Sequence, residues 1–179
     1  MKVDAKKLAV MGLLCAFAYI LMFFIRIPLM PAAPFLKYDP KDVVIIIGGF
    51  IYGPAAAFCM SAVVSLLEMV TVSDTGPVGA FMNMLSTCSI ACSASLVYKE
   101  SKSMKSAVIG LAIGTLIATA AMVLCNILIT PAYMGVPRAV VSQMIMPVFV
   151  PFNLIKGGLN SVITILVLKG TQLALVKKR

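Results

Sequence analysis

The chain of 179 residues contains no histidine and no tryptophan, and only six of its residues are acidic. Without histidine it lacks the commonest general base and the commonest metal ligand of proteins. Only 12% of the residues are charged, roughly half the share found in an average soluble domain. This low charge disfavours a water-soluble globule, and the hydrophobic content of 61% excludes intrinsic disorder.

The sequence also lacks the short motifs of several enzyme classes. It has no Walker loop for nucleotides, no HExxH zinc motif and no GxSxG nucleophile elbow. The five cysteines lie inside apolar runs, where they are typical packing residues rather than disulfide or thiolate metal sites. No pair of acids is placed for a proton relay within a span, as an ion-coupled carrier would need. We therefore predict a protein that is not an enzyme and that holds no metal or cofactor.

Long apolar runs dominate what is present, and a membrane helix needs about 20 such residues. The run over residues 43–72 is too long for one crossing, and glycine pairs and Gly53-Pro54 interrupt it, so we divide it in two. The predicted fold is all-α, an integral membrane bundle of six helices with a short second helix, forming a single transmembrane domain over 1–179. The helices are expected at residues 6–25, 43–52, 54–72, 77–98, 105–130 and 144–168.

The net charge of +9 indicates orientation in a lipid bilayer rather than nucleic-acid binding, because the basic residues form short clusters between apolar runs. With six crossings, ten lysines and arginines lie on the side of both termini and four lie in the opposite loops. Positive charge concentrates on the cytoplasmic side of membrane proteins. The pattern predicts a multi-pass protein of the cell membrane with both termini in the cytoplasm.

One cation lies in the middle of the last apolar run. Lys156 shares a helix face with Asn153 and Asn160, because residues three and four apart lie side by side on a helix. A lone lysine at the centre of a membrane helix costs roughly 2.5–3.5 kcal/mol on insertion scales. It could reach the membrane surface or pair with Glu68 as a structural contact. We favour a ligand site, since asparagine amides beside a cation suit the polar edge of a heterocycle.

Other polar residues are expected at the same depth, in the extracytoplasmic half of the membrane. Asn83 lies near the outer start of the fourth run, and Asn126 lies near the outer end of the fifth. The outer loop 26–42 contains four prolines together with Leu36 and Tyr38, so it is stiff and partly apolar. Such a loop is able to cap a pocket, although it could equally be a plain connector with a tyrosine at the membrane interface.

The first helix carries a stripe of small residues on one face: Ala5, Ala9, Gly12 and Ala16. Small residues at this spacing allow a second helix to approach closely. The partner helix could belong to the same bundle or to another subunit.

Taken together, these segments resemble the substrate-binding S component of energy-coupling factor (ECF) vitamin transporters, and most of all the riboflavin transporter (RibU) family. The resemblance covers essentially the whole chain. The matching segments are FLKYDPKDVV at 35–44, GGFIYGPAAAF at 48–58, GPVGAFMN at 76–83 and PFNLIKGGLN at 151–160. The last is the most specific, because it holds the asparagine and the lysine at the family's spacing.

The resemblance implies a six-helix bundle whose pocket opens to the outside beneath the first outer loop. It implies riboflavin as the ligand, with Asn126, Asn153 and Lys156 at the flavin ring and with Leu36 and Tyr38 near the lid. It also implies a membrane partner, the T component, which would dock on the stripe of the first helix, and two ATPase subunits. The alternatives are an S component for another vitamin or for FMN, and a stand-alone secondary carrier.

Overall fold

Helices make up most of the chain. The computed structural model describes the backbone of residues 4–176 and the side chains of residues 4–171. In chain order the helices are α1 (Ala5–Phe24), α2 (Lys41–Tyr52), α3 (Pro54–Thr71), α4 (Gly76–Ser101), α5 (Met104–Met134), α6 (Arg138–Met144) and α7 (Val150–Val176). A π-helical turn, Ile145–Phe149, joins α6 to α7 into one continuous helix, so the described residues form a bundle of six. This confirms the predicted all-α six-helix membrane bundle.

Five of these helices are long and apolar enough to cross a membrane, and α2 is the short one. With 12 residues, α2 spans only about 18 Å. It ends at Gly53, whose φ of 91° is a conformation that residues with a side chain rarely adopt. Pro54 then begins α3, where its missing N–H costs no hydrogen bond. The interruption expected from the glycine and the proline lies where the sequence indicated.

Several helix boundaries differ from expectation. α4 and the last helix end later than predicted, at Ser101 and Val176 rather than at residues 98 and 168. α2 begins at Lys41 rather than residue 43, so the charged Asp42 lies in its first turn. α5 continues to Met134 through an internal proline. The last helix begins at Arg138 rather than residue 144, because the π-turn accommodates Pro147 instead of ending the helix. A π-turn adds one residue per turn and changes which side chains downstream face the interior.

The apolar core lies in the half of the bundle that contains the end of α2 and the α4–α5 connection. Its members come from five helices, α1 to α5. Here α5 packs directly against α4: a Cβ at Gly114 would lie 2.8 Å from the Ile90 carbonyl oxygen, and one at Gly110 would lie 2.8 Å from that of Ala94. Only glycine permits this backbone approach, which is the close packing that small-residue spacing allows between membrane helices.

At the other end, the loop between α1 and α2 folds back on itself. Two short strands, β1 (Ile27–Pro28) and β2 (Lys37–Tyr38), pair antiparallel with Ile27 opposite Tyr38. The tip between them is held by turn hydrogen bonds at Ala33 and Leu36. The proline-rich loop is therefore an ordered cover at this end of the bundle rather than a free connector.

Candidate ligand-binding site

A cavity opens beneath this loop, between α3, α4, α5 and α7. The space among its lining atoms, open mouth included, is about 790 Å³. Its apolar walls include Phe35, Leu36, Val78, Met82, Met122 and Phe152. Its polar lining includes Arg26, Asp39, Glu68, Asn83, Asn126, Asn153 and Lys156. A cavity with apolar walls and several converging polar groups is suited to a small molecule that has both an apolar and a polar part.

Lys156 is almost completely buried, with only 3% of its surface exposed, so it does not reach the membrane surface. Its Nζ lies 3.3 Å from Asp39 Oδ2 and 3.6 Å from Asp42 Oδ2. Pairing with Glu68 was the alternative raised from the sequence, and it is wrong. A buried ammonium needs compensating charge, and here the lid-side loop and the start of α2 both supply it.

Asn126 and Asn153 use part of their hydrogen-bonding capacity on their own helices. Asn126 Nδ2 donates to the Met122 carbonyl at 2.7 Å, and its Oδ1 accepts from Thr130 Oγ1 at 2.8 Å. Asn153 Nδ2 donates to the Phe149 carbonyl at 2.7 Å. A side-chain amide offers two N–H donors and two acceptor positions, so each can still present a donor and an acceptor to the cavity. The internal bonds hold both amides in a defined orientation.

Asp42 is the hub of a second layer behind the cavity. Its Oδ1 accepts from Thr87 Oγ1 at 2.7 Å, and its Oδ2 accepts from Asn160 Nδ2 at 3.1 Å. Asn160 Oδ1 in turn accepts from the Tyr38 hydroxyl at 3.1 Å. One carboxylate therefore connects α2, α4 and α7 and, through Tyr38, the loop.

A second buried lysine, Lys41, lies on the α3 side of this layer and is wholly inaccessible to solvent. Its Nζ is 3.1 Å from Asp39 Oδ2 and 3.1 Å from Glu68 Oε2. Glu68 Oε1 accepts from Asn83 Nδ2 at 2.9 Å, and Arg26 Nη2 lies 3.5 Å away. The cluster contains three cations and three carboxylates, so its net charge is zero: Arg26, Lys41, Lys156, Asp39, Asp42 and Glu68.

The mouth of the cavity is crossed by two contacts from the loop. Lys37 pairs with Asp74, which lies between α3 and α4, and the Phe35 ring packs edge-on against Tyr133 with centroids 6.0 Å apart. The hydrogen bond from Lys37 lowers the pKa of Asp74 below its usual value, although that side chain is largely exposed. These contacts tie the loop to the α3–α4 connection and to α5 across the opening.

Five of the six residues singled out from the sequence as ligand contacts line this cavity: Leu36, Asn83, Asn126, Asn153 and Lys156. Tyr38 does not, because its hydroxyl is directed behind the wall to Asn160. Sequence reasoning missed Asp39 and Asp42, which it counted only as part of the outer loop. The available signal was their position just before a run of apolar residues, since α2 buries nearly everything from its first turn.

The stripe on α1 lies away from the cavity. Ala5, Ala9, Gly12 and Ala16 are all exposed, and a Cβ built at Gly12 meets no atom within 4 Å. Leu8, Leu13 and Phe17 beside them are exposed as well. Within the described residues, the stripe therefore does not serve packing inside this bundle.

Comparisons with known proteins agree with this architecture. Residues 6–168 match the family model described as "ECF transporter, substrate-specific component". The chain is 31% identical over 167 residues to riboflavin transporter RibU of Staphylococcus aureus, covering 90% of this chain and 87% of that protein. It is 30% identical to RibU of Streptococcus thermophilus, covering 97% and 86%, and 30% identical to riboflavin transporter FmnP of Bacillus subtilis, covering 88% and 87%.

A solved structure of the S component of a bacterial ECF transporter superposes on this chain with a TM-score of 0.82. It is 32% identical and covers 97% of this chain and 98% of that one. Membership in a transporter family also agrees with the prediction that the chain is not an enzyme, and with five apolar helices it is a multi-pass membrane protein. The chain belongs to the substrate-specific component family of ECF transporters.

Proposed function

We propose that this chain is the substrate-capture subunit of an ATP-driven ECF importer and that it binds riboflavin from the extracellular side of the cell membrane. The observation that carries the proposal is the cavity in which Asn126, Asn153 and Lys156 converge beneath an ordered loop. Three relatives covering most of the chain are named riboflavin transporters.

The chemistry of the cavity suits a flavin. The pyrimidine edge of the flavin ring presents carbonyl acceptors and one N–H donor, which two amides and an ammonium are able to complement. The dimethylbenzene side needs apolar walls, and Met82, Met122 and Phe152 supply them. The buried charge cluster is balanced, which favours a neutral molecule over an anionic one and so favours the vitamin over FMN.

The distribution of positive charge supports an orientation. The end opposite the cavity carries the clusters Lys6–Lys7 and Lys99–Lys102–Lys105, which favour a cytoplasmic position for that end. The cavity then faces outward and both termini face inward. A reporter protein that is active only in the cytoplasm should be active when it is fused to either terminus. Activity of a reporter that works only outside the cell, fused at the same place, would contradict this orientation.

Titration of the purified protein with riboflavin, followed by quenching of flavin fluorescence, tests the binding role. We expect binding at micromolar concentration or tighter. Replacing Lys156 with alanine removes a charge-assisted hydrogen bond of roughly 1.5–3 kcal/mol and should weaken binding about 10- to 100-fold. Lys102→Ala, at an exposed site at the other end, is the matched control and should bind as wild type does. Absence of flavin binding by the wild type would refute the proposal.

Uphill import requires an energy source, and this chain has no nucleotide-binding loop of its own. We propose that a membrane T component with two ATPase subunits supplies it and docks on the small-residue stripe of α1. Gly12→Leu should abolish uptake in cells while riboflavin binding is retained. Ala120→Leu, an enlargement on the exposed face of α5, is the control. Normal uptake with Gly12→Leu would rule out docking through the stripe.

A further inference from the structure

Few buried polar atoms of this structure lack a hydrogen-bond partner, and most of them lie at the cavity. Among the described side chains there are four: Arg26 Nε, Asp39 Oδ1, Glu68 Oε2 and Ser65 Oγ. The first three belong to residues that line the cavity. A buried polar group without a partner is destabilising, and native proteins keep few of them, so such a cluster requires an explanation.

Asp39 differs from the other two. The terminal nitrogens of Arg26 donate to the Val72 carbonyl and to Glu68, so this side chain is already held by the protein. Glu68 Oε2 lies 3.1 Å from the Lys41 ammonium, so its charge is compensated. In Asp39, by contrast, both neighbouring ammonium groups contact the same oxygen, Oδ2: Lys41 Nζ at 3.1 Å and Lys156 Nζ at 3.3 Å. Its second oxygen, Oδ1, is left as a buried acceptor in a residue that is only 3% exposed and lines the cavity wall.

The charge state of this residue decides what it is able to bind. Burial alone would raise the pKa of the Asp39 carboxyl, but the ammoniums of Lys156 and Lys41 outweigh burial and hold that pKa below its usual value. An ionised carboxylate accepts hydrogen bonds and donates none. The partner that Oδ1 lacks must therefore be an O–H or N–H group.

We infer that Asp39 is a further ligand-contacting residue, whose Oδ1 accepts a hydrogen bond from a hydroxyl group on the polyhydroxylated side chain of the bound molecule. This inference rests on the proposed function. A single acceptor suits an isolated hydroxyl. It suits the imide edge of the ring poorly, because that N–H is flanked by two carbonyl oxygens that a carboxylate would repel. Asparagine amides, which donate and accept side by side, match the imide edge better.

Asp39 is itself part of the covering loop, because it directly follows β2 (Lys37–Tyr38). A hydroxyl bound at Oδ1 would therefore connect the ligand's side chain to the loop, while the ring is held by α5 and α7. The hydroxylated side chain and the ring of the ligand would then be recognised by different parts of the protein.

The test compares riboflavin with lumiflavin, which has the same ring with a methyl group in place of the hydroxylated chain. In the otherwise intact protein, Asp39→Asn should weaken riboflavin binding roughly 10- to 100-fold, the range for a hydrogen bond to a charged group. Asp39 also holds Lys156, so lumiflavin binding should fall only by about the factor that Asp42→Asn produces. The loss for riboflavin should exceed that factor by roughly tenfold, because lumiflavin lacks the hydroxyl contact. Retained lumiflavin binding also shows that the variant is folded.

Two further variants separate contact from positioning. Asp42→Asn disturbs Lys156 without touching the cavity, so it should weaken both ligands by the same factor. Glu100→Gln, an exposed acid at the opposite end, should leave both unchanged. If Asp39→Asn weakens both ligands equally, or weakens neither, the inference is overturned and Asp39 only positions its neighbours.

A measurement on the wild type covers the case in which Asp39→Asn fails to fold. Riboflavin analogues that each lack one side-chain hydroxyl should include one whose affinity is lower by at least about tenfold, the loss expected for a hydrogen bond to a charged group. An even loss of less than about threefold for every analogue would overturn the inference. Either result is distinguishable from failure of the proposed function, in which the wild type would not bind riboflavin at all.

Discussion

The two ends of this bundle are stabilised by different interactions. At the end away from the cavity, called the closed end here, α4 and α5 meet through glycines. The described core there is apolar apart from hydroxyl groups such as those of Ser95 and Ser106, and it contains no buried charge. At the cavity end, two buried lysines, the partly buried Arg26 and three buried carboxylates form one cluster, and several of their polar atoms lack a hydrogen-bond partner. Tight packing stabilises the first end, whereas the second keeps groups that are costly to bury and that a ligand is able to use.

Because the two ends differ in this way, substitutions at one end should change the free energy of unfolding alone, and substitutions at the other should change riboflavin affinity as well. Changes among the glycines should alter unfolding and leave affinity intact. Changes among the cavity charges should alter both, because the same residues hold the loop and face the ligand.

The largest effect is expected at Lys41, the completely buried cation that joins Asp39 to Glu68. Lys41→Met keeps the length of the side chain but leaves two carboxylates without their shared partner. Breaking a buried ion pair in this way costs about 3–5 kcal/mol, so the free energy of unfolding in detergent should fall by that order. Arg138→Met, an exposed cation, is the control and should change it little. Equal stability of the two variants would contradict a balanced charge cluster.

Thr87→Val should have the next largest effect. It replaces the hydroxyl that donates to Asp42 Oδ1 with a methyl group of similar shape. Loss of a hydrogen bond to a buried carboxylate costs about 1.5–3 kcal/mol, and riboflavin affinity should fall with stability because Asp42 holds Lys156. Thr71→Val, whose exposed hydroxyl bonds only within its own helix, should be neutral in both measurements.

Gly114→Ala tests the closed end. The added methyl would meet the Ile90 backbone, which cannot move without displacing α4, so we expect a loss of about 1–3 kcal/mol in unfolding free energy. The folded fraction should bind riboflavin with unchanged affinity. Gly158→Ala has open space around the new methyl and is the matched control. A change in affinity with Gly114→Ala would show that the two ends are coupled.

The smallest effect concerns the Lys37–Asp74 pair at the mouth. Exposed ion pairs contribute about 0–1 kcal/mol, so Asp74→Asn should accelerate riboflavin release only a few-fold, and high salt should remove the difference. Because the folded-state pKa of Asp74 is lowered, the contact persists at neutral pH and is lost as pH falls through that lowered value. Release rates that show no dependence on salt would indicate that the pair does not hold the loop.

Much of the architecture could be predicted from local patterns. The break at Gly53-Pro54 and the polar stripe on α7 depend on backbone geometry and helix periodicity, which neighbouring residues determine. Small-residue spacing was less informative. The stripe on α1 stays exposed, whereas the same spacing at Gly110 and Gly114 is buried against α4. Spacing shows that close approach is possible, but not which helix approaches.

The partners of the buried charges could not be predicted at all. Lys156 is 117 residues from Asp39 in the chain, and their contact exists only because the loop folds over α7. The partner of Tyr38 could not be predicted either. Its position in the outer loop suggests a lid residue, but its hydroxyl donates to Asn160 behind the cavity wall.

The sequence alone therefore established that this chain is a membrane bundle with a polar site near one end. The features that did so are the apolar runs, the positions of glycine and proline, and the isolated lysine. These features act over a few residues, where helix geometry and transfer from water dominate. Tertiary structure alone decided which carboxylates neutralise the lysines, which atoms stay unpaired and which small-residue stripe remains open. Burial and pairing of charges depend on residues distant in the sequence, since only packing of the whole bundle brings them together.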